Sequence, residues 1–514
     1  MFEQKYKDDI LGINSTFDRV IITGSIVPIS YEKGLFQFLN ANHILLKQFQ
    51  SYASELATVL KEYAKGLSET ANVPYIYLNN SKTRKEQVVK KIIKERGSHP
   101  GLVAILSGLE VCKSFDIYKN KKTRKLELVS RLRKCLHIYS YFIDEQLGLC
   151  YFRLQTFFPF RIQIYFNGRE LLANKLDQAG IVYQKDDNCF TYLSDFDKAQ
   201  ELAEDLKSTH LHSLFDKWAE EYVPILPALR KKWYLSYHWS IRQIEYARDI
   251  IFHSQDRLDE IYRQLLQYLT LSTMPEDIMS FLGKKLSGSQ GGKIETSTKK
   301  TYFGYRVKHK NRAIIIKVYN KAGNVLRIEV TINDLSQFKV YRDVNKRDGQ
   351  IVKELATLKK SIHSLGHVVH ISKAAIDRYM DFLSKMEDNS KGVKELRGIT
   401  ERKTENNKNY KGFNPLSTED STIFQTLLNG SFITNGFSNK DIRLVLSERL
   451  ENLNWNTAKV SRLIKRLRIF GLVKKLHNSY RYFLTSNGKL LLAIAVKLKN
   501  LVVTPMINKS LAMA

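Results

Sequence analysis

From residue 101 to residue 168 the chain repeats one pattern. Apolar residues alternate with polar ones in short runs, and turn residues close each run. GLVAILSGLEVCKSFDIY reads as a strand pair, and LELVS, KCLHIYSYFI, GLCYFRLQ and FRIQIYF read as further strands, with DEQLG as a turn. Strands joined so closely must pair antiparallel, because a parallel pair needs a long crossover. NGRELLANKLDQAG then reads as a helix entered from the last strand and stopped at Gly180. A second helix over 198–208 follows FTYLSDFD, so the region predicts a twisted antiparallel sheet carrying helices.

The chain has 514 residues, enough for roughly three domains. An apolar fraction of 43% supports real cores and excludes a wholly disordered chain. Residues 1–98 read as a mainly helical N-terminal region, with helical periods over 43–67 and 82–94, the second capped by Ser81. The first α+β sheet domain takes 99–200, and a helical segment takes 201–298, including a long amphipathic pattern over 241–268 and a Gly-rich loop at 288–292. YFGYRVKHK, AIIIKVYNK and NVLRIEVTI open a second sheet with helices over 299–388, AGN marking a hairpin and helices expected at 348–365 and 372–386. A polar linker at 389–419 precedes a domain at 420–505 that reads as three helices, a basic hairpin and a closing helix, a winged helix-turn-helix. The expected fold is therefore α+β and multidomain, with two mixed or antiparallel sheet regions, intervening helices and that C-terminal winged domain.

Lys and Arg number 82 against 52 Asp and Glu, a net charge of +30 that favours a polyanionic partner. Residues 421–505 hold 14 Lys and Arg against 3 acids. On the third helix Leu463, Leu467 and Phe470 face inward, and Lys459, Arg462, Lys465 and Arg466 face outward. Such a face meets DNA in a recognition helix, with Lys474, Lys475 and Arg481 on the wing. In the first sheet Lys134, His137, Arg153, Gln155 and Arg161 sit within apolar strands, with Arg153 and Gln155 on one face. Tyr139, Tyr141, Tyr151, Phe157 and Phe158 among them would stack on bases or fill the core. Arg169 stands at a strand-to-helix junction, where backbone donors suit phosphate. Arg306, Lys308 and Arg327 extend the candidate nucleic-acid surface onto the second sheet.

A hairpin there would bring Lys317 near Glu329. One acid beside Lys and His fits a phosphodiester site: Glu329 to hold Mg²⁺, Lys317 to steady developing charge, His309 to move a proton. A structural salt bridge across the hairpin is the plainer account. A metal nuclease would want a second carboxylate, for which Glu110 is the candidate. Rolling-circle nickases join His-x-His to a Tyr nucleophile; here His210 and His212, or His367 and His370, would combine with Tyr246, Tyr262 or Tyr379, although packing histidines explain these as well. No P-loop, H-E-x-x-H, G-x-S-x-G or dinucleotide fingerprint occurs. The four cysteines form no CxxC pair, no apolar signal core opens the sequence and no long apolar run spans a bilayer, so a cytoplasmic protein is expected.

The blocks KCLHIYSYFIDEQLGLCYFRLQTFFPFRIQIYFNGRELLANKLDQAGI, YHWSIRQIEYARDIIF, RVKHKNRAIIIKVYNKAGNVLRIEVTINDLSQFKVYR and NGFSNKDIRLVL resemble a family of mostly uncharacterised bacterial and archaeal proteins of about this length. Its members are loosely labelled MarR-type regulators for their terminal winged helix. The family pattern has Asn-Ser-Ile-Lys-Met-Tyr-Asp-Lys before the Arg-Ile-Glu strand. Here RAIIIKVYNK keeps Lys317, Tyr319 and Lys321 and lacks the polar opening and the Asp. The resemblance transfers no activity.

The expectation is a nucleic-acid-binding protein that recognises structured RNA or DNA, together with duplex DNA through its winged helix. The alternatives are a metal-dependent nuclease or nickase of a mobile or defence element, with Mg²⁺ as its cofactor, and a structural subunit of a ribonucleoprotein. Expected partners are DNA or structured RNA and no membrane; a homodimer would suit a palindromic duplex.

Overall fold

The computed structural model describes residues 2–79, 83–205, 208–233, 235–271, 273–284, 294–385, 398–450 and 454–500. The expected cap at Ser81, the loop at 288–292 and linker residues 389–397 lie outside the described residues. The chain is α+β, with a large mixed sheet and four two-stranded sheets. In chain order the first strands are β1 (Ile10–Ile26), β2 (Tyr75–Tyr77), β3 (Gly101–Lys119), β4 (Leu126–Asp144), β5 (Gly148–Gln155), β6 (Ile162–Asn167), β7 (Tyr183–Asp186), β8 (Cys189–Leu193) and β9 (Tyr237–Phe252). Then come β10 (Ile294–Thr301), β11 (Gly304–Asn311), β12 (Ile314–Asn320), β13 (Val325–Ile332), β14 (Lys339–Asn345), β15 (Ile351–Thr357), β16 (Lys403–Glu405), β17 (Lys408–Tyr410), β18 (Val473–Lys475) and β19 (Tyr482–Leu484). Among the described residues no helix is long and apolar enough to cross a membrane.

The chain divides into two compact units that interleave in sequence. The first takes Gly12–Asp249 and Thr331–Ser372; the second takes the residues up to Leu11, Ile250–Val330 and the residues from Lys373 on.

In the first unit the strand order is β9-β1-β6-β5-β4-β3-β2, antiparallel from β1 through β3 and closed by the parallel pair β2–β3. β3 and β4 are each 19 residues long, where the sequence pattern suggested shorter strands. The reason is local: Ser107 and Gly108 continue extended and pair with Ile138 and His137 instead of turning. Helix Phe49–Thr70 covers one face of this sheet, with Phe49 against the rings of Phe157 and Phe158 and Ala64 against Ile105 and Ile138. Helix Lys85–Arg96 covers the other, where Val89 packs on Tyr139, Tyr141 and Tyr151. Those tyrosines and Phe157 and Phe158 are buried, so they fill the core.

β9 corrects an expectation. Ile241, Ile244 and Ala247 recur at a helical spacing, yet Tyr237–Phe252 is a strand; the helix begins only at Gln255 and runs to Leu271. Its buried residues alternate only as far as Ile241 and then fall on Ile244, Tyr246 and Ala247, which breaks the two-residue period that marks a half-exposed strand. Trp239 shows why it sits close to β1: its ring lies 2.5 Å from where a Cβ on Gly24 would stand, so only glycine fits there. The helix expected at 348–365 is likewise the hairpin β14–β15, and helix Leu365–Ser384 starts where that expectation ended.

Helix Gly168–Gln178 begins at Asn167, whose side chain accepts from the Arg169 N–H at 2.8 Å. Arg169 then turns inward. Its guanidinium meets the Asp249 carboxylate at 2.6 Å, and both side chains are fully buried.

In the second unit the order is β10-β11-β12-β13. Helix Gln255–Leu271 ties to it through the Tyr262 hydroxyl, which donates to the Val318 carbonyl at 3.1 Å and also to that of Tyr305. The C-terminal part holds helices Thr418–Leu427, Asn439–Arg449, Thr457–Ile469 and Ser486–Leu498 with the hairpin β18–β19, around Phe424, Leu427, Leu446, Leu463 and Leu467. Phe437 bridges to Tyr482 and adds a third short strand segment. Helix Ser486–Leu498 docks within the unit: Lys489 meets Glu276 at 2.6 Å and Lys497 donates to the Thr273 carbonyl at 2.8 Å.

The ion pair of Arg169 yields a stability prediction. Removing one partner strands a charge in the core, at a cost of about 3–5 kcal/mol. Urea unfolding of Arg169→Met should show that loss, and Arg169→Met with Asp249→Leu should recover most of it.

Candidate anion-binding surfaces

The sheet register of the first unit gathers its polar residues on one face. Tyr139 pairs with Arg153, which pairs with Gln163, which pairs with Thr23; His137 pairs with Gln155, and Cys135 with Glu110. Directly paired residues share a face, so all of these project together. The expected alternation of Arg153 with Gln155 is thus present. Lys134, paired with Val111, projects from the opposite face and does not join them.

Glu110 anchors the group. Its carboxylate accepts from Tyr139 Oη at 2.6 Å, Arg153 Nη2 at 2.7 Å and Lys85 Nζ at 2.9 Å. Burial pushes its pKa up, but the bonds from Tyr139 and Lys85 and the Arg153 charge win, and it falls to about 2. With three donors in place, Glu110 is an internal counter-ion here and not the second metal ligand that the sequence suggested. Arg153 is held from its other side as well, donating from Nη1 to Gln163 at 3.2 Å.

Beyond Arg153 lies a pocket of about 280 Å³ lined by Lys113, His137, Arg153, Gln155, Arg161 and Arg242, among others. No carboxylate lines it among the described residues. Arg153 and Arg161 line it, and the Nε atom of each is buried without a hydrogen-bond acceptor. Gln155 closes one side by donating to the Phe157 and Phe158 carbonyls at 3.1 and 3.0 Å. His137 keeps its Nδ1 on the Cys135 carbonyl at 3.1 Å, and burial first, then the Arg153 charge, pull its pKa down to about 4. Arg242 was missed by the sequence reading because its strand was read as helix. The alternation of buried Tyr237, Trp239 and Ile241 with His238 and Arg242 is the signal that could have found it.

Several expected site residues are placed elsewhere. Arg169 is buried on Asp249 and offers no surface to phosphate. Arg327 is fully buried within β13. The hairpin does join Lys317 to Glu329, and the Tyr319 hydroxyl donates to the same carboxylate at 3.1 Å. His309 cannot join them: it pairs with Ile316 while Lys308 pairs with Lys317, which puts it on the other face of the sheet. It lies in the core between Thr296 at 2.9 Å and the Tyr379 hydroxyl at 3.2 Å, and burial lowers its pKa to about 3. Arg306 and Lys308 do share the face of Lys317.

The nickase arrangement is not assembled in either unit. His210 bonds Gln146 at 2.8 Å, and His212 lies 3.3 Å from Asp216 and stacks on His363. Tyr246, Tyr262 and Tyr379 are buried, and Tyr246 lies on a strand instead of a helix. In the first unit Asp18 and Glu245 hold carboxylate oxygens within 4.8 Å of one another, and Asp18 accepts from Asn167 at 3.0 Å and Asn188 at 2.6 Å.

A second basic concavity lies in the C-terminal part. Between the start of helix Asn439–Arg449, helix Thr457–Ile469 and the hairpin is a groove of about 520 Å³ lined by Lys440, Lys465, Arg468 and Tyr480 among others. Tyr480 is 87% exposed. Ser438 and Asn456 cap the two helices, accepting from the backbone of Asp441 and Lys459. Leu463, Leu467 and Phe470 face inward, while Arg462 and Lys465 face out. Lys474 and Lys475 are exposed on β18. Three expected cations are engaged within the fold. Arg466 donates to the carbonyls of Lys411 at 2.8 Å and Gly412 at 2.7 Å, over the Phe413 ring. Arg481 holds the Asn435 carbonyl at 2.9 Å, and Lys459 lies over Trp455, 3.8 Å from Glu419.

Comparisons with protein-family models, curated proteins and solved structures find no match to this chain.

The two depressed histidines set a pH dependence. Each has a folded pKa below its unfolded value of about 6.5, so the unfolded state binds the extra proton and stability falls as pH drops from about 6.5 toward 4. The expected slope is about 1.4 kcal/mol per pH unit for each histidine. Urea midpoints measured across that range should show the fall, and His137→Gln should reduce its slope by about half.

Proposed function

We propose that the chain is a nucleic-acid-binding protein that engages polynucleotide phosphates through its C-terminal helices and hairpin. The observation that carries this reading is the groove of Lys440, Lys465 and Arg468, none of which forms an ion pair among the described residues, with exposed Tyr480 beside it. Cations without acidic partners sit poised for an external anion, and an exposed ring next to them suits a base or sugar face. The order of helices and hairpin, with Phe437 bridging to Tyr482, fits a winged helix-turn-helix. On that reading helix Thr457–Ile469 enters a duplex groove, and β18–β19 lies along the backbone as the wing. The MarR-type label of the resembling family would then describe this part alone.

A second reading, a divalent-metal-dependent phosphodiesterase, keeps one observation in its favour. Asp18 and Glu245 offer carboxylate oxygens close enough to share a cation. It predicts Mg²⁺-dependent cleavage of a bound polynucleotide and its loss in Glu245→Gln with binding retained.

The test of the first reading is a titration of the full chain with duplex DNA, single-stranded DNA and structured RNA over a range of salt. Lys465→Gln with Arg468→Gln should weaken binding and lower the slope of log K against log salt by roughly 0.9 per lost phosphate contact on duplex DNA. No binding to any of the three, or binding that the double variant leaves unchanged in strength and slope, overturns the proposal.

A further inference from the structure

The arginine pocket of the first unit carries a second assignment. We infer that it is a binding site for a single phosphate group, with Arg153, Arg161 and Arg242 as its ligands.

The pocket combines three guanidiniums, one lysine and no lining acid. Packing like charges together is unfavourable unless an anion joins them. Arg161 and Arg242 form no ion pair among the described residues, and of the three arginines Glu110 pairs with Arg153. Their charges are therefore uncompensated inside the fold. The buried Nε atoms of Arg153 and Arg161 add a geometric sign. A buried N–H donor without an acceptor is costly, and both of these belong to side chains that line the pocket.

Arg153 is also pre-set. Glu110 takes one terminal nitrogen and Gln163 the other, which fixes the guanidinium plane on β5 at the wall of the pocket. Gln155 is turned to the loop carbonyls, so its amide helps shape the wall. A cavity of about 280 Å³ admits a phosphate with its substituent, whereas a planar aromatic ligand would find no unoccupied ring among these residues. Rigid arginines recognise phosphate through paired N–H donors, which distinguishes this pocket from a lysine-rich surface that only attracts charge.

The phosphate could be that of a free nucleotide or the terminal group of a polynucleotide. The second source rests on the nucleic-acid reading above; the phosphate site itself does not. Isothermal titration of the full chain with inorganic phosphate, a nucleoside monophosphate, a 5′-phosphorylated tetranucleotide and its 5′-hydroxyl form separates these cases. The phosphate-bearing probes should bind, and Arg161→Gln and Arg242→Gln should each weaken them by roughly ten-fold or more. Arg161→Lys should restore part of the loss. A phosphorylated tetranucleotide that binds tighter than both the monophosphate and its hydroxyl form supports a strand end as ligand. Equal binding of tetranucleotide and monophosphate supports the phosphate site and assigns it to free nucleotides. Absence of binding by every phosphate-bearing probe, or binding unchanged in both folded arginine variants, overturns the site.

Discussion

The carboxylate of Glu110 holds together the polar face of the first unit. It is the single acid into which Lys85, Tyr139 and Arg153 all donate. Lys85 begins the basic helix Lys85–Arg96, so the same carboxylate fixes the helix end on the sheet. Arg153 faces the pocket, so it also sets the orientation of the pocket's first arginine. The cross-strand register makes this possible: a shift of one residue on β4 would send Tyr139 and His137 to the opposite face and leave half-buried Glu110 with fewer donors. Packing of Val89 on Tyr139 and Tyr141 resists such a shift, because it would carry those rings onto the face already packed by helix Phe49–Thr70.

Basic residues in this chain fall into two groups that the sequence does not separate. Some are spent inside the fold. Arg169 neutralises Asp249, Lys317 binds Glu329, and Arg466 satisfies two carbonyls while covering Phe413. Others, such as Arg161, Arg242, Lys440 and Arg468, line concavities without an acidic partner among the described residues. Only the second group adds to attraction for an external anion, since an internal pair presents no net charge. A formal charge of +30 therefore says that cations exceed acids, while burial and pairing decide which cations remain available.

Much of the first sheet was legible because β4 to β6 alternate and their turns are short. The pairing of Lys317 with Glu329 was legible for the same reason, since AGN fixed the hairpin. The exceptions share a cause. The buried residues of β9 alternate only as far as Ile241 and then shift phase, and a strand with a broken alternation loses the period that distinguishes it from a helix. Reading it as helix concealed Arg242 and hence the full pocket. His309 shows a different limit. One residue of register decides which face it takes, and a strand boundary cannot be placed that closely from sequence. Arg169 and Arg327 show a third: cations in strands or at helix starts look accessible until the buried partner or neighbouring layer is known.

The two concavities would respond differently to salt, and this follows from how their cations are held. The C-terminal groove places Lys440, Lys465 and Arg468 on helix surfaces beside an exposed tyrosine. Such long side chains attract phosphate at a distance, order only on contact, and lose affinity steeply as counter-ions compete. In the first unit Arg153 is fixed by Glu110 and Gln163, so little side-chain entropy is lost when another of its donors meets an oxygen. A partly buried pocket is also screened less by salt than an open surface. On the nucleic-acid reading, the groove supplies long-range attraction that weakens with ionic strength, and the pocket supplies a short-range choice among phosphates that persists when that attraction is screened.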